Sequence, residues 1–131
     1  MRPSIFYLDD DPSQLELFSE MFRREYDVRT STDLSEALGM LAACSADIII
    51  SDEVMPGVRG TEFLMAAAQL CPDAVRVLLS GQLLLGEALP YVLSGVAQLF
   101  VAKPWTEDQM RDVLERASVH HERGTRGGEA A

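Results

Sequence analysis

At 131 residues the chain suits a single domain. With 47% hydrophobic and 24% charged residues, it can bury a core without disulfide or metal staples. A net charge of −10 and a single lysine, Lys103, leave no basic cluster to displace counterions from nucleic acid or to dock on anionic lipid. No apolar run approaches the roughly 20 residues that span a bilayer. No secretory signal precedes the first strand, and Cys44 and Cys71 fit no metal-ligand spacing. Both cysteines are expected as small buried hydrophobes in a reducing, cytoplasmic setting.

Residues 4–8, SIFYL, are a short apolar run of β-formers ended by three aspartates, which predicts a buried strand. A helix follows over 11–25. Asp11 is its cap, Pro12 suits the first helical position, and Leu15, Phe18 and Phe22 lie on one face. YDVRTST (26–32) is a second strand. Asp33 then caps a helix whose inward positions are Leu34, Ala37, Leu38 and Leu41. ADIIIS (46–51) carries its apolar residues in a continuous run rather than in alternation, as suits a strand covered on both faces. Met55, Pro56 and Gly57 turn the chain sharply into a third helix, 60–71, which Pro72 stops; Arg59 offers that helix a poor cap. AVRVLLSG (74–81) and QLFVAKP (98–104) are the fourth and fifth strands.

Between those two strands, residues 82–95 should form the fourth helix. Gly86 and Pro90 interrupt it, so a kinked, shortened or two-piece helix is expected, with some of Leu83, Leu84 and Leu85 exposed. The last helix, 106–122, is capped by Thr106 and buries Met110, Val113, Leu114 and Ala117. Trp105 plugs its start, and His120 and His121 close it in a dipole-compatible, non-catalytic role. Residues 1–122 thus form the domain, and 123–131 read as a flexible tail or truncated linker. Five strands alternating with helices give an α/β fold, a doubly wound parallel sheet flanked by helices.

In such sheets ligands gather at the carboxyl ends of the strands. Those ends carry Asp9 and Asp10, then Asp52, then Ser80 with Gly81, then Lys103 with Pro104. Carboxylates a few ångströms apart cannot all stay ionised without a cation, and hard oxygen donors at low count suit Mg²⁺. A carboxylate beside Mg²⁺, an ammonium and a hydroxyl is equipped to attack a phosphoryl group. Glu53 is expected as a solvated rim charge that tunes the site.

The motifs YLDDD, ISDEVMPGVRG, LLSG and FVAKPW, in this order and at these strand ends, resemble the receiver domain of two-component response regulators over residues 4–121. The resemblance implies a flavodoxin-like sheet of strand order 2-1-3-4-5. It makes Asp52 the phosphoacceptor and Mg²⁺ the cofactor. Asp10 would hold the metal directly, Asp9 mainly through water, and Val54 through its carbonyl. Ser80 and Lys103 would contact the phosphoryl group, with a cis Lys103–Pro104 bond. Phe100 would be the aromatic switch partner of Ser80, and Gly81 would leave room for the donor.

The implied partners are a histidine kinase or phosphotransfer protein and an output domain or partner protein. That output partner would be reached through the face of the fourth helix, fifth strand and last helix. The exposed leucines are compatible with a homodimer. Only self-phosphorylation and self-dephosphorylation are expected, with no external substrate. Val54 and Gln82 replace side chains that often orient attacking water in this family, which predicts slow dephosphorylation. The KPW ending resembles receivers joined to metal-dependent phosphohydrolase or kinase output domains. The alternative reading is a phosphorylation-independent interaction module of the same fold. A Mg²⁺-dependent phosphatase lacks an acid or base beyond Glu53, and a nucleotide or flavin protein lacks a Gly-rich loop after the first strand.

Overall fold

A computed structural model describes the backbone of residues 2–55, 57–81 and 95–130, and their side chains except Val58 and those beyond Glu122. Expectations for Gln82, the leucines at 83–85, Gly86 and Pro90 lie outside the described residues. The described elements are β1 (Ser4–Leu8), α1 (Pro12–Phe22), β2 (Asp27–Ser31), α2 (Leu34–Ala43), β3 (Ile48–Asp52), β4 (Val54–Met55), β5 (Val58–Arg59), α3 (Gly60–Leu70), β6 (Val75–Gly81), β7 (Leu99–Lys103) and α4 (Glu107–Ala130). Five strands form one sheet in the order β2-β1-β3-β6-β7, every pairing parallel. Leaving out the short β4–β5 ribbon, this is the expected 2-1-3-4-5 order.

The two sheet faces bury separate apolar clusters. Ile5, Tyr7, Ile48, Ile50, Val77, Leu79 and Val101 pack against Leu15, Phe18 and Phe22 of α1 and Met110, Leu114 and Ala117 of α4. Phe6, Leu8, Ile49 and Leu78 pack against Ala37 and Leu41 of α2 and Phe63, Leu64 and Ala67 of α3. Side chains alternate across a pleated strand, and burial on both faces explains why these strands read as unbroken apolar runs.

The local signals act as the sequence suggests. Asp11 Oδ1 accepts the Ser13 N–H at 2.9 Å, and Asp33 Oδ2 accepts the Glu36 N–H at 2.8 Å. Thr106 and Gln109 form a reciprocal capping box, at 3.1 and 2.8 Å. Gly57, in the expected sharp turn, has φ +80°, the left-handed region that favours glycine.

Three features differ from expectation. The Met55–Gly57 turn closes a small antiparallel ribbon in which Val54 pairs with Arg59. The helical backbone of α4 continues to Ala130 rather than ending at Glu122; no proline interrupts residues 123–130, and glycine, though costly in a helix, does not bar helical geometry. Cys44 ends α2 on the surface, whereas Cys71 is buried as expected.

Arg76 is a buried charge at the start of β6, 7% exposed. Its guanidinium donates to the carbonyls of Ala74, Gly95 and Val96 at 3.2, 2.9 and 2.9 Å, tying β6 to the segment that enters β7. Burial pulls its pKa below the usual arginine value.

Candidate functional site: an acidic cluster at the strand ends

The pleat decides which strand-end residues meet. Asp9 follows Tyr7 by two residues, Asp52 follows Ile50, and Lys103 follows Val101; those three predecessors all belong to the cluster under α1 and α4. The two-residue period therefore carries Asp9, Asp52 and Lys103 to one side of the sheet edge. β1 lies between β2 and β3, so its end and that of β3 flank the crevice where the connections diverge.

Asp9, Asp10 and Asp52 each place one carboxylate oxygen within 4.8 Å of the others. Asp9 is 1% and Asp52 7% exposed, while Asp10 reaches solvent. The Lys103 ammonium stands 3.0 Å from Asp52 Oδ1 and 3.9 Å from Asp9 Oδ2. Three hard oxygen donors at this spacing fit a small divalent cation that keeps several waters, as Mg²⁺ does. Burial is the main reason the Asp9 carboxyl is pushed above its ordinary range, and neighbouring Asp52 adds to it. The Asp11 N–H, the Tyr7 hydroxyl and Lys103 pull the other way. A cleft of about 620 Å³ opens over the cluster, walled by Asp11, Gln14, Leu17, Met21, Pro104 and Trp105. Trp105 is half-buried and packs edge-on against Phe18, with centroids 6.3 Å apart, as a plug should.

Ser80 has the other parity. It follows Leu78, which belongs to the opposite cluster, and its hydroxyl donates to the Gly81 carbonyl at 3.4 Å. Phe100 pairs with Leu78 and Ser80 with Ala102, so Ser80 and Phe100 share that opposite face. Gly81 pairs with Lys103, and among the described residues a Cβ at Gly81 would meet nothing within 4 Å. Val54 carries an exposed side chain. The Lys103–Pro104 bond is cis.

Glu53 corrects the sequence reading. It is not a solvated rim charge: it is 3% exposed, and Oε1 accepts the Thr61 N–H at 3.2 Å and the Thr61 hydroxyl at 3.4 Å. Arg59, at the cap position of α3, makes no side-chain cap bond. Glu53 supplies that cap from outside the helix, and its negative charge suits the helix N-terminus.

Sequence reasoning also missed Gly60 and Tyr7. A Cβ on Gly60 would sit 2.2 Å from the Asp52 carbonyl oxygen and 2.8 Å from Ser51 Oγ, so only glycine lets α3 start against the Asp52 backbone. Tyr7, fully buried, donates its hydroxyl to Asp9 Oδ2 at 2.7 Å. Glycine spacing and a polar-tipped aromatic in an apolar strand were the available signals.

Comparison with known proteins agrees with this geometry. The family model of the response regulator receiver domain matches residues 5–115. The C4-dicarboxylate transport transcriptional regulatory protein DctD of Rhizobium meliloti is 31% identical over 116 residues, covering 88% of this chain and 25% of that protein. This chain thus spans about a quarter of the length of the curated relatives it matches. Among solved structures, the adenylate cyclase from Rhodopirellula baltica superposes with TM-score 0.94 at 25% identity, over 99% of this chain and 97% of that one. The signal receiver domain of an HD domain-containing protein from Pseudomonas fluorescens Pf-5 does so with TM-score 0.85 at 25% identity, over 95% and 93%. Sheet order, strand-end chemistry and the family match agree, and the chain belongs to the response regulator receiver domain family.

Proposed function

We propose that this chain is a phosphoacceptor switch in which Asp52 takes a phosphoryl group from a phosphohistidine on a histidine kinase or phosphotransfer protein. An Asp52 carboxylate oxygen attacks phosphorus, the P–N bond breaks, and the imidazole leaves with its electron pair. The observation that carries this reading is Asp52 itself: a nearly buried carboxylate at the end of a rigid strand, within cation-sharing distance of Asp9 and Asp10 and 3.0 Å from Lys103.

Asp9, Asp10 and Asp52, with the Val54 carbonyl, are the residues that would hold Mg²⁺. When bound, Mg²⁺ supplies charge neutralisation for the phosphoryl oxygens. Lys103, 3.0 Å from Asp52 Oδ1, supplies a further positive charge. Ser80 and Phe100, on the opposite face of β6 and β7, are the pair proposed to report the phosphoryl group to an output domain or partner. The chain turns over no external substrate. With the apolar Val54 two residues after the acceptor, hydrolysis of the aspartyl phosphate is slow.

The test is intact mass after incubation with acetyl phosphate and Mg²⁺. A metal-dependent gain of about 80 Da, absent in Asp52→Asn, is the expected result for metal-assisted phosphoryl transfer. No adduct under rapid quenching would overturn this reading in favour of a phosphate-independent binding module. An aspartyl phosphate half-life of seconds would overturn the slow-hydrolysis part alone.

A further inference from the structure

The Tyr7 hydroxyl has an unusual position for a core residue. The ring is fully buried among apolar side chains and packs edge-on against Phe18, with centroids 5.0 Å apart. Phenylalanine would fill that space, so packing does not call for the oxygen. The hydroxyl reaches up the sheet edge and donates to Asp9 Oδ2 at 2.7 Å, a short bond of the charge-assisted kind. The other oxygen of the same carboxylate, Oδ1, accepts the Asp11 N–H at 3.0 Å. Two donors on two oxygens fix both the position and the plane of the Asp9 carboxylate. Its remaining lone pairs are left to face Asp10, Asp52 and Lys103.

We propose that Tyr7 is a positioning residue of the cation site: its hydroxyl holds the Asp9 carboxylate in the plane that divalent-cation binding requires. This rests on the reading of Asp9, Asp10 and Asp52 as a metal site and adds to it a residue that touches neither metal nor phosphoryl group. Outer donors of this kind orient a ligand that would otherwise rotate, and their loss typically weakens metal binding about 10–100-fold. The Asp11 N–H and the Tyr7 hydroxyl come from different segments, the α1 cap and the body of β1. The carboxylate is therefore braced both from the helix and from the sheet.

The experiment compares the parent, Tyr7→Phe and Phe18→Leu. Mn²⁺ binding is read from the free-ion signal in electron paramagnetic resonance. The Mg²⁺ dependence of phosphorylation by acetyl phosphate is read by intact mass. Tyr7→Phe is expected to weaken Mn²⁺ binding about tenfold. It should also raise the half-saturating Mg²⁺ concentration by the same factor, with the effect falling on that concentration rather than on the plateau rate. Phe18→Leu disturbs the ring's packing but keeps the hydroxyl, and is expected to bind Mn²⁺ as the parent does. Equal binding by Tyr7→Phe and the parent overturns the proposal and leaves the metal site standing. Equal weakening by Phe18→Leu and Tyr7→Phe also overturns it, assigning the effect to core packing. Absence of Mn²⁺ binding in the parent overturns the metal site itself, and the role of Tyr7 with it.

Discussion

Lys103 sets its ammonium 3.0 Å from Asp52 Oδ1 and 3.9 Å from Asp9 Oδ2, so the chain's one lysine sits in part of the charge gap that a divalent cation would fill. In the proposed mechanism the same group would both compete with the metal and assist the chemistry. Lys103→Met keeps the stem and removes the charge. It is expected to tighten Mn²⁺ binding about fivefold, since the pair is only partly shielded from solvent. The rate of acetyl phosphate-dependent adduct formation should fall about 100-fold, as happens when one preorganised electrostatic contact is lost. Metal titration and quenched intact-mass kinetics on the same sample would show whether the two quantities move in opposite directions, as they must if Lys103 plays both parts.

Gly60→Ala tests the seam between α3 and Asp52. The added methyl would meet the Asp52 carbonyl at 2.2 Å, and neither the strand nor the helix start can withdraw cheaply. A loss of about 3 kcal/mol in urea unfolding is expected, the upper range for overpacking, together with slower phosphorylation because Asp52 is displaced. Gly39 is the matched control: a Cβ there meets nothing within 4 Å, so Gly39→Ala should not destabilise.

Glu53→Ala separates a cap from a rim charge. As a cap, its removal costs about 1–2 kcal/mol of stability and leaves a buried N–H unpaired, while Mn²⁺ affinity stays within about twofold of the parent. Glu53→Gln retains an acceptor for Thr61 and should recover most of the stability. Urea midpoints and Mn²⁺ titrations of both variants check this. A large change in metal affinity with no change in stability would restore the rim-charge view.

Asp9 and Asp11 stand two residues apart and are pushed in opposite directions. Burial raises Asp9, whereas hydrogen bonds from the Ser13 hydroxyl and N–H lower Asp11. The folded state binds the Asp9 proton more tightly than the unfolded chain, so Asp9 costs stability as pH rises above its ordinary 3.8. Mg²⁺ should offset that cost, raising the melting temperature more at pH 7 than at pH 4. Asp11 has the reverse sign. Its cap contributes fully above the ordinary aspartate value, and the contribution is lost as pH falls through the lowered one. The stability gap between the parent and Asp11→Ala should accordingly shrink in acid. Carbon-detected NMR titration of the two side-chain carboxyls reads both directions directly.

What could be read from the sequence depended on the reach of the signal. Asp11, Asp33 and Thr106 are caps recognised within three residues of the donor they satisfy. The acidic cluster and Lys103 followed from one rule about strand ends. Glu53, Gly60 and Tyr7 were not legible because each acts on a group set by the pleat or by a helix approaching through space. Parity was the other blind spot. It places Ser80 on the face opposite Asp52 and Lys103, which a list of strand ends does not distinguish. Arg76 looks like a charge interrupting a buried strand; its partners at residues 95 and 96 lie about twenty positions away.

The contact between Gly60 and the Asp52 carbonyl has a mechanical consequence. Asp52 abuts the start of α3 on one side, and the next residue, Glu53, is tied to both neighbours: Glu53 N–H donates to the Leu79 carbonyl at 2.8 Å, and Gly60 N–H donates to the Glu53 carbonyl at 2.9 Å. If Asp52 takes a phosphoryl group as proposed, the α3 side is expected to stay still, leaving the response to β6 and β7, where Phe100 is only half-buried.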